Sequence, residues 1–576
     1  MVRIGETCRY WFRLGYPLYL TVLVLTLGVM PSIAQVSGTP FKCMTLSSIP
    51  AYLRGEGYSE LTGDILLNCT GGLPTAVGNA IPQANITIQL NTSITSRILS
   101  NGGSEALLLL DEPGSPANPF QQLCASLNGC AVSGTGGAGE PFSGTDASRP
   151  NIYQGVVSGN SVTFFGVPID PPGAGGPRAF RIKNIRANAT ALTSGLLQQV
   201  TAQISTSPPA AVPIDNSQVP VGFVSSGLSF GNGSFTIQAC TGINDSNRFT
   251  VVAYSEGFIN SFKPRTLLGP AAAPPQNMPG GFAFNTESAF GFPGLPGAGL
   301  ADSGTRFKAI WRNVPAGVNL WVATSSFGPS TVSAAVLVAS ETGAYSPVTS
   351  TSTLLGVDVV QLPVVNGIAT AVWEVTASDP SAVDSFSFGV ILTSTTSAPP
   401  DVRTSQMTVN GSFAPTPPAF SAVDAGKALT FPVPRFADTS TPANMLTVTP
   451  CITNLLFPFV TSKSGFDTGL AISSTSKDPI GTAPQSGPCT LTFFGPDAPP
   501  PIKTQSIAAG TTYTAVLSTI SPNFQGYLTA ECSFEFAHGF AFISDVGARN
   551  LAMSYLALVV SNPRTLQDAS SEALLH

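Results

Sequence analysis

Short runs of alternating apolar and polar residues, bounded by glycine- and proline-rich turns, recur throughout this chain. In the run 85–94, Ile86, Ile88 and Leu90 alternate with polar residues. Comparable runs lie at 161–167, 234–240, 369–377, 384–392 and 527–537. Apolar and polar residues that alternate with a period of two give a strand one buried face and one solvent-exposed face. Short strands joined by frequent turns predict β-sandwiches in series.

The composition supports strands over helices. Only 10% of the residues are charged, whereas soluble proteins average about 25%. Ser, Thr, Asn, Gly and Pro replace the charged residues that helices favour. We therefore expect an all-β chain of two or three β-sandwich domains, Ig-like or jelly-roll-like. The net charge of −6 supplies no basic stripe for phosphates, so nucleic acid is not an expected partner.

The first 34 residues have the three parts of a signal peptide. Arg3, Arg9 and Arg13 precede an apolar run at 18–30, and small residues stand at Ser32 and Ala34. This pattern predicts export and cleavage after Ala34. The alternative is a retained anchor, but the run is short against the ~20 residues that span a bilayer. No later stretch is long and apolar enough, so we expect a secreted or cell-surface protein, with the periplasm as an alternative.

Cysteine usage agrees with an oxidising compartment. Cys8 leaves with the signal peptide, and an even number of cysteines remains, which favours disulfides. We predict the pairs Cys43 with Cys69, Cys124 with Cys130, and Cys489 with Cys532. Cys240 and Cys451 stay unassigned. Zinc is not expected, because the chain has no C-x-x-C motif and only two histidines.

Composition also suggests where domains begin and end. The segment 412–441 is rich in Pro, Ala and Ser and is interpreted as a linker. The predicted order is a sandwich at 35–210, a sandwich at 211–412, a linker at 413–445, a C-terminal sandwich at 446–562 and a polar tail at 563–576. A weak internal similarity joins FRIKNIRA (180–187) to FKAIWRNVPA (307–316), which suggests equivalent strands of two related sandwiches; chance similarity is the alternative.

Catalytic motifs are weak. Ser229 lies in a G-x-S-x-G pattern, but that motif needs a following helix and the sequence continues as a strand. Alternation along 527–537 predicts that His538 lies on a buried apolar face. Glu531 and Glu535 are four strand residues, or ~13 Å, apart, beyond the ~5–9.5 Å of glycosidase pairs. They are interpreted as charges on an edge strand.

Charge is concentrated at RGEGYSE (54–60) in a chain otherwise poor in charge. A structural ion pair within a turn is the favoured interpretation, and a binding loop is the alternative. We predict no catalytic residue, cofactor or metal site.

Two stretches resemble modules of uncharacterised exported multi-domain β-proteins of environmental bacteria. The first is LRGEGYSELTGDI (53–65) followed by CTGG (69–72). The second comprises NLLFPFV (454–460), GFDTG (465–469), AHGFAFISD (537–545) and YLAL (555–558). The resemblance covers residues 40–130 and 446–560. It implies an extracellular building block and transfers no catalytic residue.

We therefore expect a non-enzymatic secreted or cell-surface protein with a structural, adhesive or matrix-associated role, whose partners are cell-surface or matrix components or glycans. One alternative is carbohydrate binding on exposed Trp311, Trp321 and Trp373, although Trp373 lies in a strand that is apolar on both faces. Another is a secreted hydrolase that uses Ser229 or the Glu531 and Glu535 face.

Overall fold

The protein is an all-β chain of several sheets. Among the residues that the structure describes, strands account for 49% and helices for 2%, which confirms the predicted fold class. The computed structural model describes residues 39–47, 50–145, 147–192, 198–208, 211–238, 248–266, 284–327, 332–394, 406–416, 431–449 and 451–561. The expected signal peptide, Cys240 and the polar tail at 563–576 lie outside these residues.

The first sandwich has two six-stranded sheets and a small two-stranded one. Its strands are β1 (Lys42–Ser47), β2 (Ala51–Arg54), β3 (Glu60–Leu61), β4 (Ile65–Gly71), β5 (Gln83–Leu90), β6 (Leu107–Leu110), β7 (Ile152–Gln154), β8 (Val156–Ser158), β9 (Ser161–Pro168), β10 (Gly173–Lys183), β11 (Arg186–Ala187), β12 (Gln198–Ser207), β13 (Ile214–Asp215) and β14 (Gln218–Ser225), with a 3-10 turn at Thr190–Leu192. The sheet orders are β13-β1-β4-β10-β6-β7, β2-β14-β12-β5-β9-β8 and β11-β3. Side chains of both large sheets, such as Leu67 and Ile86, share one buried core.

The second sandwich repeats this plan with two six-stranded sheets. Its strands are β15 (Leu228–Asn232), β16 (Phe235–Gln238), β17 (Phe249–Glu256), β18 (Arg306–Arg312), β19 (Val318–Ala323), β20 (Ala334–Val338), β21 (Ser352–Leu354), β22 (Val357–Gln361), β23 (Ala369–Ala377), β24 (Ser385–Ser394), β25 (Gln406–Ala414) and β26 (Ala443–Thr449). The orders are β15-β17-β24-β19-β22-β21 and β16-β26-β25-β18-β23-β20. An aromatic core lies between the sheets, where Tyr254 stacks on Phe307 with ring centroids 4.7 Å apart.

The third sandwich is smaller. Its strands are β27 (Thr453–Thr461), β28 (Asp467–Ser474), β29 (Cys489–Phe494), β30 (Ile502–Lys503), β31 (Thr512–Val516), β32 (Gln525–Cys532), β33 (Ala537–Ser544), β34 (Ala552–Leu556) and β35 (Leu558–Val560), with a single helical turn, α1 (Leu517–Ile520). The orders are β30-β29-β32-β27-β35 and β31-β28-β33-β34. Leu455 and Leu470 are among the side chains that fill the core between the sheets.

The sandwich boundaries differ from those expected. Strands β13 and β14 complete sheets of the first sandwich, so that sandwich extends beyond residue 210 to Ser225. The described ends of the expected linker at 413–445, residues 413–416 and 431–445, pack on the second sandwich: Phe436 is buried and stacks on Phe413, with ring centroids 4.7 Å apart. Strand β26 belongs to the second sandwich, although the C-terminal module was expected to begin at 446.

The two strands with similar sequences occupy similar places. Strand β10 lies between β4 and β6, and β18 lies between β25 and β23, all with antiparallel pairing. Each strand is followed by an asparagine in the left-handed region, Asn184 at φ 62° and Asn313 at φ 57°. Asparagine tolerates this conformation better than most residues, which explains why both strands end in the same residue type.

Candidate functional site

Charged residues, scarce in the sequence, are buried where the first two sandwiches meet. Residues 284–301, which precede β18, leave the second sandwich and pack on the first. We call them the docking segment. Its Phe290 is fully buried against Leu107, Leu109 and Ile152 of the first sandwich. The Asn184 side chain donates to the Phe290 carbonyl at 2.8 Å and accepts from the Phe290 N–H at 2.9 Å, so it pairs with this backbone as a neighbouring strand would.

Arg54 stands at the centre of the junction. Its Nε donates to both carboxylate oxygens of Glu60 at 3.0 Å, and its Nη1 and Nη2 donate to the two oxygens of Glu287 at 2.7 and 3.0 Å. Nη1 also donates to the Ser261 carbonyl at 3.1 Å. The guanidinium lies 4.7 Å from the ring centroid of Phe436. One side chain of the first sandwich thus contacts three separate segments of the second, through bidentate pairs that fix its orientation.

The local sequence makes room for these pairs. The turn after β2 begins with the Gly57 N–H donating to the Arg54 carbonyl at 2.9 Å and returns the chain to Glu60. A Cβ at Gly57 would lie 2.3 Å from the Glu60 carboxylate, and one at Gly227 would lie 2.4 Å from Arg54 Cγ. Glu56 in the same turn accepts from the Gly227 N–H at 3.0 Å. The charge concentration at 54–60 is therefore a structural ion pair, as favoured from the sequence.

A second buried ion pair reinforces the junction. Arg186 Nε donates to Glu105 Oε1 at 3.0 Å, and Arg186 Nη2 donates to the Glu287 carbonyl at 3.0 Å. The other Glu105 oxygen accepts from the Gly299 N–H of the docking segment at 3.0 Å. Each ion pair thus joins the first sandwich to the docking segment. We call Arg54, Glu60, Glu105, Arg186 and Glu287 the junction cluster.

Burial and opposing charge act together on the pKa values in and beside this cluster. Burial alone lowers the pKa of Arg54, but Glu287 and Glu60 stabilise the guanidinium and raise the pKa above its ordinary value. Burial alone raises the pKa of Glu287, and Arg54 outweighs it, so that pKa is lowered. Burial and then the charge of Arg54 lower the pKa of nearby Lys263. Arg54 and Glu287 therefore stabilise each other in the charged form, an arrangement that holds the two surfaces together.

Sequence reasoning found Arg54 and Glu60 but missed Arg186, Glu105 and Glu287. One sequence feature could have identified these three residues: each is a charged residue inside an otherwise apolar strand or turn, which is unusual in a chain with so few charges. Arg186 lies near the end of the strand-like segment FRIKNIRA, and Glu287 lies in NTESAF. Their partners are far away in sequence, and periodicity carries no information about such pairs.

The residues considered for hydrolysis do not meet. Ser229 is an exposed residue in the middle of β15, in the second sandwich, without the strand-to-helix turn of a nucleophile elbow. His538 and Asp467 belong to the third sandwich. They lie at opposite ends of the paired strands β28 and β33, where His538 faces Ser473 and Asp467 faces Ser544. Six strand residues separate them, or ~20 Å.

Two expectations about the C-terminal strand were wrong. Strand β32 ends at Cys532, and Phe536 adopts φ 61°, which resets the alternation expected over 527–537. His538 is consequently exposed, with Nδ1 3.1 Å from the Thr475 hydroxyl, and not on the buried face. Glu531 is exposed on β32, which is a central strand and not an edge. The Glu535 side chain accepts a hydrogen bond from Gln238 Nε2 at 2.9 Å, between the second and third sandwiches.

The tryptophans do not form a row of exposed platforms. Trp311 and Trp373 are fully buried in the second sandwich. Trp373 Nε1 donates to the Ala323 carbonyl at 2.9 Å. Trp321 is half-buried, and its Nε1 donates to the Thr393 hydroxyl at 2.9 Å. These three tryptophans therefore do not support the carbohydrate-binding alternative that was based on them.

Disulfides tie neighbouring segments together. The structure contains Cys43–Cys69, Cys124–Cys130 and Cys489–Cys532, the three pairs expected from the sequence. The first and third join directly opposed residues of antiparallel strands. Cys451 is also disulfide-bonded.

Over the described ranges, no three His, Cys, Asp or Glu side chains come together as metal ligands. Within those same residues, no helix has the length and apolar character needed to cross a membrane.

No protein-family model matches the chain. No curated protein matches it either. Among solved structures, the B domain of a biofilm-associated protein is similar at 8% identity and a TM-score of 0.16, over 70% of this chain and 84% of that one. BcpA, the major pilin subunit of Bacillus cereus, is similar at 9% identity and a TM-score of 0.20, over 70% and 89%. The T6 backbone pilin of serotype M6 Streptococcus pyogenes gives 9% identity and 0.17, over 82% and 79%. TM-scores this low do not establish a shared fold.

Proposed function

We propose that this protein is a non-enzymatic, exported component of a cell surface or extracellular matrix, with a structural or adhesive role. The junction cluster supports this proposal most directly. In a chain with few charged residues, it places five of them between two sandwiches, paired with one another and closed to solvent. Two sandwiches held together in this way suit the transmission of force or the presentation of a surface.

Export is supported by three features. The N-terminal 34 residues have the pattern of a signal peptide. The three predicted disulfides are formed, and disulfides persist in oxidising compartments. The third feature is the resemblance to exported proteins of environmental bacteria, which also agrees with export and is part of this proposal.

Fractionation of cells that express the full chain tests the location. We expect the protein outside the cytoplasm, with a mature N-terminus at Gln35 and its cysteines resistant to a thiol-specific label until reduction. Retention in the cytoplasm with labelled thiols would overturn the proposal.

A panel of ester, peptide and glycoside substrates tests the non-enzymatic role. We expect turnover no faster than in buffer. Turnover that Ser229→Ala or His538→Ala abolishes would show a hydrolase instead.

A further inference from the structure

The third sandwich carries an uncovered groove on the outer face of its β31-β28-β33-β34 sheet. The groove has a volume of about 570 Å³. Its floor is Gly469 and Ala471 of the central strand β28. Phe540 and Phe542 of β33, which are 41% and 45% exposed, form one wall. The other wall is formed by residues of β31 and α1, namely Thr514, Val516, Thr519 and Ile520.

Strand register explains the shape. Ala471 is paired with Thr514 on one side and Phe540 on the other, while Gly469 is paired with Val516 and Phe542. The two walls are therefore two strand spacings apart, or ~10 Å. On this face, β28 presents only the hydrogen of Gly469 and the methyl group of Ala471, whereas both neighbouring strands present large side chains. A trench therefore runs along β28.

The fold itself does not require the glycine in the floor. A Cβ at Gly469 would meet only the Phe542 carbonyl oxygen, at 3.7 Å, and the residue does not adopt a left-handed conformation. Glycine within a strand weakens it and often marks a place where a ligand approaches the backbone closely. A larger residue would fit here, so the open floor indicates space kept for something outside the chain.

The chemistry of the lining restricts the occupant. No lining residue of the groove, all of them within the described part of the chain, carries a charge. Strand β28 is paired on both sides, so it has no free edge to which a peptide could add as a further strand. The lining offers the exposed rings of Phe540 and Phe542, the aliphatic side chains of Val516 and Ile520, and the hydroxyls of Thr514 and Thr519. Thr519 Oγ1 donates to the Val516 carbonyl at 2.6 Å, so toward a ligand it is an acceptor. Sugar rings match this lining, because their C–H faces pack on the negative face of an aromatic ring and their hydroxyls pair with threonine.

We propose that this groove binds an uncharged polysaccharide chain, stacked on Phe540 and Phe542. The groove follows β28 on the outer face of the sheet, a shape that suits an extended polymer. The inference rests on the proposed adhesive role, for which it supplies a partner class. It concerns a different surface from the junction cluster.

Affinity electrophoresis of the full chain tests the proposal, with hydroxyethyl cellulose, galactomannan and a soluble β-1,3-glucan in the gel, and alginate as the acidic comparison. We expect at least one neutral polymer to retard the wild type and alginate not to. Phe542→Ala should weaken this retention about tenfold, the loss of one aromatic stacking contact with its buried area. Gly469→Val, which fills the floor, should abolish it. Phe459→Ala removes an aromatic ring that is 42% exposed on the other sheet of the same sandwich and should change nothing.

Each contrary result would overturn the inference. These results are retardation by none of the neutral polymers, equal retardation by alginate, or retention that survives both Phe542→Ala and Gly469→Val. Light scattering adds one more: a dimer of the wild type that Gly469→Val abolishes would assign the groove to a second copy of the chain. The variants must keep the wild-type melting temperature of the third sandwich. Because the junction cluster is remote from the groove, failure here leaves the test of export and non-enzymatic character intact.

Discussion

Replacement of Arg54 by methionine should destabilise the first two sandwiches strongly. Methionine keeps much of the apolar contact with Phe436 but removes the charge between Glu60 and Glu287, which are 1% and 3% exposed. Removing one partner of a buried ion pair costs ~3–5 kcal/mol, because the remaining charge stays desolvated. Here two carboxylates are left facing each other. In a domain of this size the loss corresponds to a fall in Tm of roughly 5–15 °C.

Differential scanning calorimetry of the full chain measures this effect. Lys463→Met is the matched control, because Lys463 pairs with Asp497 at 3.3 Å on the surface, with side chains 34% and 77% exposed. Exposed pairs contribute ~0–1 kcal/mol. A Tm shift of Arg54→Met no larger than that of Lys463→Met would refute the reasoning about the junction cluster.

The pH dependence of the same variant provides a second check. In the wild type, Arg54 lowers the pKa of Glu287, so this contribution is present above the unfolded pKa and is lost as pH falls through the folded one. In Arg54→Met, burial acts on Glu287 without that counter-charge, so its pKa should be raised. The variant then gains stability as the carboxyl is protonated. The Tm gap between wild type and variant should narrow from pH 7 to pH 4; a gap that widens contradicts this.

Three further predictions concern other parts of the fold. Loss of the disulfide in a Cys489→Ala and Cys532→Ala double variant, which opens a loop with a sequence separation of 43, should cost about 4 kcal/mol by loop entropy; an unchanged urea midpoint would contradict this. Gly227→Ala should cost ~1–3 kcal/mol because its methyl group meets Arg54, whereas Gly231→Ala, with open space around it, should stay within ~0.5 kcal/mol in the same assay. Phe290→Ala should cost ~3–5 kcal/mol by emptying its buried site and should expose the docking segment to limited proteolysis; a protease-resistant variant of unchanged stability would contradict this.

The sequence by itself determined the strands and the local cross-links. Alternation located β23 at 369–377 with the bounds that the structure has, because period-two burial is a property of consecutive residues. The pair Cys124 and Cys130 was predictable for a similar reason: six positions apart, the residues form a loop in almost any fold. Where one residue changes the backbone direction, as Phe536 does, alternation failed and misplaced His538.

Only the tertiary structure decided which distant residues meet. Arg54 and Glu287 are 233 positions apart, and no local pattern records that the docking segment crosses to the first sandwich. The groove likewise depends on which strand lies between β31 and β33, so that Gly469 and Ala471, which no local pattern connects to a groove, become its floor. Which face of a strand is buried follows from the alternation of its own residues and is therefore a local property. Which residue pairs with a charged side chain, and which strand lies beside another, is fixed by the topology and by the packing of whole sheets.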